Sequence, residues 1–272
     1  VTTLIEALPL VGTALAAALV LGGMHSYLGF HIVRRGVIFV DLAMAQMAAL
    51  GVAAGLVLGW GGEGLSGYAL ALASTLVGAL VIAFLRRAAD SVPLEAYIGI
   101  VFVSAQALAI MLLSRTPGGT EHLREALIGM LLTVSPKQLA TTALIYLVIG
   151  VVHFLLRKRF LLVTVHPVES LQKGMNLFYW DLLFYSLFGL VVTLAVRMAG
   201  ILLVFGLLVI PASAGILLSD RTGVRLAIGW VFSALTTLVG IVAALRLDLP
   251  LAPAILLAMT AGLGVVGLIR KR

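Results

Sequence analysis

The chain has 272 residues, of which 62% are hydrophobic and only 11% charged. A water-soluble domain of this size needs far more charge to cover itself, so the bilayer has to be the solvent. The absence of cysteine excludes disulfides, thiolate metal sites and iron–sulfur clusters together. The net charge of +7 does not point to nucleic acid, because the basic residues are scattered at the ends of apolar runs, where membrane anchoring places them.

In lipid, every spanning piece must satisfy its backbone internally, so apolar runs of roughly 20 residues are expected to be helices. In chain order the runs are 9–33, 37–59, 66–86, 96–113, 137–156, 178–197, 199–218, 226–246 and 250–269. The expected fold is all-α: a polytopic membrane helical bundle of about nine transmembrane helices, forming a single domain over residues 1–272. The first run is long and lacks a basic leader, so it is read as a span and not as a separate secretory signal. A shorter apolar piece, Leu123–Val134, is too brief to cross and is expected at the interface or as a re-entrant segment.

Alternate loops hold the positive charge. Arg34, Arg35, Arg86, Arg87, Arg157, Lys158, Arg159, Lys173, Arg221, Arg225, Arg270, Lys271 and Arg272 make thirteen basic residues on one side. The other side has five, Arg115, Arg124, Lys137, Arg197 and Arg246. Retention of Lys and Arg in the cytoplasm then puts the C-terminus inside and the N-terminus outside, which an odd number of spans requires. The polar stretch 114–137 is expected to face outward and 157–177 inward.

Ionisable residues within spans are functional candidates because burying them in hydrocarbon is costly. Asp41 lies about one turn into the second run, with Gln46 five residues on, about 140° around a helix. The bland alternative for Asp41 is an ion pair with Arg34, Arg35 or a neighbouring helix. Asp181 and His153 lie near span ends, where snorkelling or hydration suffices. His25 and His31 are six residues apart and point in different directions. Gly51, Gly55 and Gly59 form small-xxx-small repeats, a helix-packing signal. The run Gly262-Leu263-Gly264-Val265-Val266-Gly267 matches a dinucleotide fingerprint in letters, but it lies in a span without a strand and is rejected. No Walker A sequence, Ser-His-Asp set or His-Glu-x-x-His helix is present, so any ATP hydrolysis belongs to another subunit and an intramembrane enzyme has little support.

The most organised stretch runs from Arg197 to Arg221, with Pro211-Ala212-Ser213-Ala214-Gly215 late in a span and Ser219, Asp220, Arg221 and Arg225 after it. A proline there is expected to kink the helix. The small residues beyond it permit either a tight transmembrane kink or a bent element that docks a partner.

Four stretches in order resemble the permease family of metal-type ABC importers, which move zinc, manganese or iron. They are Arg34-Arg35-Gly36 through Asp41 to Gly51, Glu95-Ala96-Tyr97-Ile98-Gly99-Ile100-Val101-Phe102, Gly129-Met130-Leu131-Leu132-Thr133-Val134-Ser135, and Gly200 through Pro211-Ala212-Ser213-Ala214. The resemblance implies a multi-pass subunit of the bacterial inner membrane, paired with a second copy of itself. It also implies a cytoplasmic ABC ATPase dimer that binds ATP, and an extracytoplasmic metal-binding protein. No permanently bound cofactor is implied, only a transported divalent metal. The segment Pro211–Arg225 would then supply the coupling helix that seats in the ATPase.

The family's second helix carries Asp and His four residues apart. Here, anchored at Gly51, those places hold Leu42 and Gln46, with Asp41 displaced by one; anchored at Asp41, Ala45 stands where His would. Either way the pair is broken, and a neutral amide such as Gln46 is a weak ligand for such metals. Glu121, His122 and Glu125 form a candidate receiving set at the outer mouth, since 121/125 and 122/125 share helix faces. The expected function is import of a divalent metal, zinc ahead of manganese and iron. The rivals are an importer of a metal chelate and an ion-coupled secondary transporter working alone.

Overall fold

The computed structural model describes residues 4–60, 65–86, 92–116, 118, 129 and 131–270. It is all-helical, with no strand among the described residues. The helices are α1 (Leu4–Arg35), α2 (Val40–Val57), α3 (Leu65–Leu85), α4 (Leu94–Leu113), α5 (Pro136–Val165), α6 (Pro167–Gln172), α7 (Leu177–Leu218), α8 (Thr222–Leu247) and α9 (Leu251–Arg270). A short 3-10 turn, Leu131–Thr133, precedes α5. Among the described residues, eight helices, all but α6, are long and apolar enough to cross a membrane.

The longest of these, α7, has 42 residues, roughly twice the number needed to cross a hydrocarbon core. It is broken at Gly200, whose φ of 74° and ψ of 162° lie far from helical values. The two runs expected at 178–197 and 199–218 both fall inside it, and the break lies at Gly200, the second residue of the later run. At Pro211, where a kink was expected, the helix continues to Leu218.

A second difference concerns residues 157–177, read from their charge as a loop. Arg157, Lys158 and Arg159 continue α5 to Val165, because Lys and Arg are good helix formers and hydrophobicity alone does not end a helix. His166, at φ −131°, ends it, as the residue before Pro167 is forced from helical geometry, and the six-residue α6 follows.

The chain divides into two compact units. One comprises residues 34–126 and 151–196. In it α2 packs on both α3 and α4. A Cβ placed at Gly51 would collide with the backbone of Leu70 and Ala71, so the α2–α3 contact is built on a missing side chain. The Thr75 and Thr193 hydroxyls lie 3.0 Å apart and join α3 to α7, each hydroxyl also reaching its own helix at Ala71 and Gly189. Gly59, at φ +72°, ends α2, with the Trp60 N–H donating to the Gly55 carbonyl at 2.9 Å.

The other unit comprises residues 1–33, 127–150 and 197–272. Here Gly29 of α1 sits on the Leu208 carbonyl, Gly215 of α7 on the Arg225 carbonyl, and Gly240 of α8 on the Ile255 backbone. The Trp230 indole N–H donates to the Gly23 carbonyl at 2.9 Å. Gly129, itself at φ +71°, lies against the Ala199–Gly200 peptide at the break in α7.

Gly129→Ala should therefore be harmful twice over, by strain at positive φ and by collision with the Ala199–Gly200 backbone. A loss of at least about 2 kcal/mol is expected in detergent unfolding. Gly12→Ala, with nothing within 4 Å of the added carbon, should leave stability unchanged or slightly raised.

Candidate functional site

Asp41 and Gln46 both lie on α2, the most buried of the eight long helices. Asp41 is fully buried and Gln46 is 5% exposed. Val40, Ala43, Met44, Ala45 and Ala48 are buried around them, while Leu42, Met47, Ala49 and Leu50 of the same helix are only partly buried, and about 140° around the axis still separates the two side chains. Neither carboxylate oxygen of Asp41 has a hydrogen-bond partner among the described residues. A buried carboxylate without donors is expensive, and such groups recur where a cation or proton passes. The entry to α2 is fixed by Glu95 of α4, whose Oε1 accepts the Phe39 N–H at 2.9 Å. That glutamate caps an orphan backbone donor at the helix start.

Asp41 does not pair with the arginines expected of it. Arg34 is exposed. The Arg35 Nη1 donates to Asp181 Oδ1 at 2.9 Å, and its Nε to the Thr164 hydroxyl at 3.1 Å. Arg86 reaches both oxygens of the same carboxylate, each at 2.6 Å. The Arg35 guanidinium also lies 4.0 Å from the Phe184 ring centroid. The Asp181 and Arg35 side chains are 1% and 3% exposed, Arg86 22%. So Asp181 is not a snorkelling or hydrated end residue but the centre of a buried ion triad tying the ends of α1 and α3 to the start of α7. Nearby, the ring of His153, also buried, stacks on Phe160 at 4.5 Å. The triad was within reach of the sequence: Arg35, Arg86 and Asp181 all fall at span ends that the charge count assigns to one face, and an acid there needs a base.

The segment 211–225 is divided by the fold. Pro211 and Ala212 are buried within α7, and Ser213 is partly buried. The Pro211 carbonyl lies 3.1 Å from where a Gly229 side chain would start. These residues form the packed C-terminal part of α7 that leads into the connection. Leu218, Asp220, Arg221, Gly223 and Val224 are exposed, and Ser219 is half-buried. Arg225 is turned back on the connection, its Nε donating to the Ser219 carbonyl and its Nη2 to Asp220 at 3.1 Å. The Ser219 hydroxyl accepts the Arg221 N–H at 3.2 Å. The result is a three-residue connection held in one shape by its own polar groups, with Asp220 and Arg221 presented outward.

Glu121, His122 and Glu125 lie outside the described residues. In α1, His25 is fully buried with its Nδ1 at 2.8 Å from the Leu21 carbonyl, while His31 contacts the Tyr27 hydroxyl at 3.2 Å. No group of three or more His, Asp or Glu suited to a metal ion occurs among the described residues. The arrangement is that of a polytopic membrane protein with one unpaired acid in its most buried helix and a small charged connection at its surface.

Comparison with known proteins places it. The model of the ABC 3 transport family matches residues 7–270. The chain belongs to that family, the metal-type permease family that its motifs resemble. It is 28% identical over 228 residues to the manganese transport system membrane protein MntC of Halalkalibacterium halodurans, covering 84% of this chain and 76% of that one. It is also 28% identical over 170 residues to the high-affinity zinc uptake system membrane protein ZnuB of Buchnera aphidicola, covering 61% and 64%. Among solved structures, its fold is similar to that of PsaBC from Streptococcus pneumoniae in complex with Fab, with a TM-score of 0.79 and 22% identity over 94% of this chain and 90% of that one.

Substituting Asp181→Asn should leave two guanidinium groups without an anion and lower stability by about 3–5 kcal/mol. Thermal unfolding of the purified protein checks it. Asp41→Asn, which removes a charge with no partner, should leave stability unchanged or raised.

Proposed function

We propose that the whole chain, residues 1–272, works as one permease domain: the membrane-spanning subunit of an ATP-driven importer of a divalent transition metal. The observation that carries this reading is Asp41, a carboxylate with both oxygens unpaired in the most buried helix of a chain from a metal-type permease family. The chain crosses the bacterial inner membrane nine times, α7 counting twice, with the C-terminus inside. Two copies assemble with a cytoplasmic ATPase dimer and receive the ion from an extracytoplasmic binding protein, Glu121, His122 and Glu125 lying at the outer mouth. Hydrolysis of ATP in the partner subunits pushes on the Ser219–Arg225 connection and switches access from one face to the other.

Manganese comes ahead of zinc and iron in this reading, reversing the order expected from the motifs alone. Asp41 and Gln46 are oxygen donors, and without an imidazole beside them they suit a hard ion such as Mn²⁺ better than Zn²⁺. Relatives named as manganese transport proteins support the same order. The amide is weak as a ligand, which suits a path that must release its cargo.

Metal uptake into vesicles containing the chain with its ATPase and binding protein tests this. Asp41→Asn should reduce manganese uptake about tenfold or more while the ATPase still co-purifies; undiminished uptake removes Asp41 from the path. Gln46→Ala should have a smaller effect. Arg221→Glu should instead weaken ATPase co-purification and leave stability unchanged. Uptake by the purified chain alone on a proton gradient would establish the secondary-transporter reading.

A further inference from the structure

The Arg35–Asp181–Arg86 triad does not balance. Two guanidinium groups meet one carboxylate, so a net positive charge is held in a site where Asp181 and Arg35 are almost fully buried. The Arg35 Nη2 is buried and has no hydrogen-bond partner among the described residues. Unbalanced charge at such a depth is costly unless an anion approaches. The surroundings make the excess larger. Arg34 lies at the same end of α1 as Arg35, and Glu169 is engaged by Lys173 at 2.7 Å.

Against this triad lies a cavity of about 510 Å³. Its polar wall is Arg86, Asp181 and Asn176; its apolar wall includes Ala83, Leu171 and Phe178. Arg86 directs Nη1 to Asp181 and is the least buried member of the triad, so it is the one that can meet an incoming group. The cavity also receives the first turn of α7, the positive end of its dipole. Arg86 immediately follows the apolar α3, which sets the cavity at the depth where a span ends and lipid headgroups begin.

We propose that this cavity binds a phosphate-bearing anion, either the headgroup of an anionic phospholipid or free phosphate, held by Arg86 and offsetting the triad's excess charge. The apolar wall fits the glycerol and upper acyl carbons of a lipid. Bound lipid here clasps the ends of α3 and α7 and the α6 segment that line the cavity. The site is independent of the metal path.

Native mass spectrometry of the full chain, exchanged into equal amounts of phosphatidylglycerol and phosphatidylcholine, tests it. Wild-type protein should retain phosphatidylglycerol about fivefold or more over phosphatidylcholine, and Arg86→Gln should lose that preference. Inorganic phosphate added in neutral detergent separates the two sources. A rise in melting temperature in wild type but not in Arg86→Gln, without lipid preference, identifies free phosphate as the ligand. Should Arg86→Gln fail to fold, the wild-type competition decides alone. Equal retention of the two lipids together with no response to phosphate overturns the proposal. So does a preference that persists unchanged in a folded Arg86→Gln variant. Asp90, outside the described residues and four positions beyond Arg86, is the chain's own rival anion. If Asp90→Asn creates a lipid preference that wild type lacks, the site belongs to Asp90 and the proposal falls.

Discussion

A peptide bond in hydrocarbon has no water to turn to, so each N–H and C=O must be satisfied by its own helix, and the helices must then be held together without a hydrophobic driving force. In this chain the second requirement is met largely by close backbone approach. Gly51 on Leu70 and Ala71, Gly29 on Leu208, Gly215 on Arg225 and Gly240 on Ile255 each place one helix where a side chain would forbid it. The close-packed area gained at such contacts replaces the burial from water that a soluble bundle would use. Where the backbone does depart from the helix, at Gly200, another glycine, Gly129, covers the exposed peptide.

The same constraint explains the placement of polar groups. Hydroxyls on buried helices bond their own preceding turn, as Thr75 and Thr193 do, and then pair across the gap. Among the described residues, the two fully buried carboxylates are accommodated differently. Asp181 is surrounded by arginines at the end of its helix, where donors from α1 and α3 converge. Asp41 sits in the interior with no donor at all among the described residues. Asp41, in the first turn of α2, has only the positive end of the helix dipole to favour its charge, and the proposed role in transport rests on that isolation. The surface connection between α7 and α8 is the converse case: Ser219, Asp220 and Arg225 bond one another and fix the shape of a short exposed turn.

Much of this was legible before any coordinates. Hydropathy alone marks the apolar runs, because the bilayer allows one backbone solution for each of them. The four motifs carried the family, and Gly51 could be read as a packing residue from its spacing. Asp41 and Gln46 stood out because polar groups in such runs are rare. The six-residue α6 and the last nine residues of α5 could not be read this way, since charge reports on solvent and not on backbone conformation.

By itself, then, the sequence determined the solvent, the helical class, the family and the position of an acid in the first turn of a span. Only the tertiary structure decided partners: Arg35 goes to Asp181 and leaves Asp41 alone, Pro211 stays within a continuous packed helix, and the break in α7 falls at Gly200. Local composition sets which groups need a partner. Which partner each receives depends on helix ends brought together from residues 95 and 146 positions apart, and no local pattern encodes that distance.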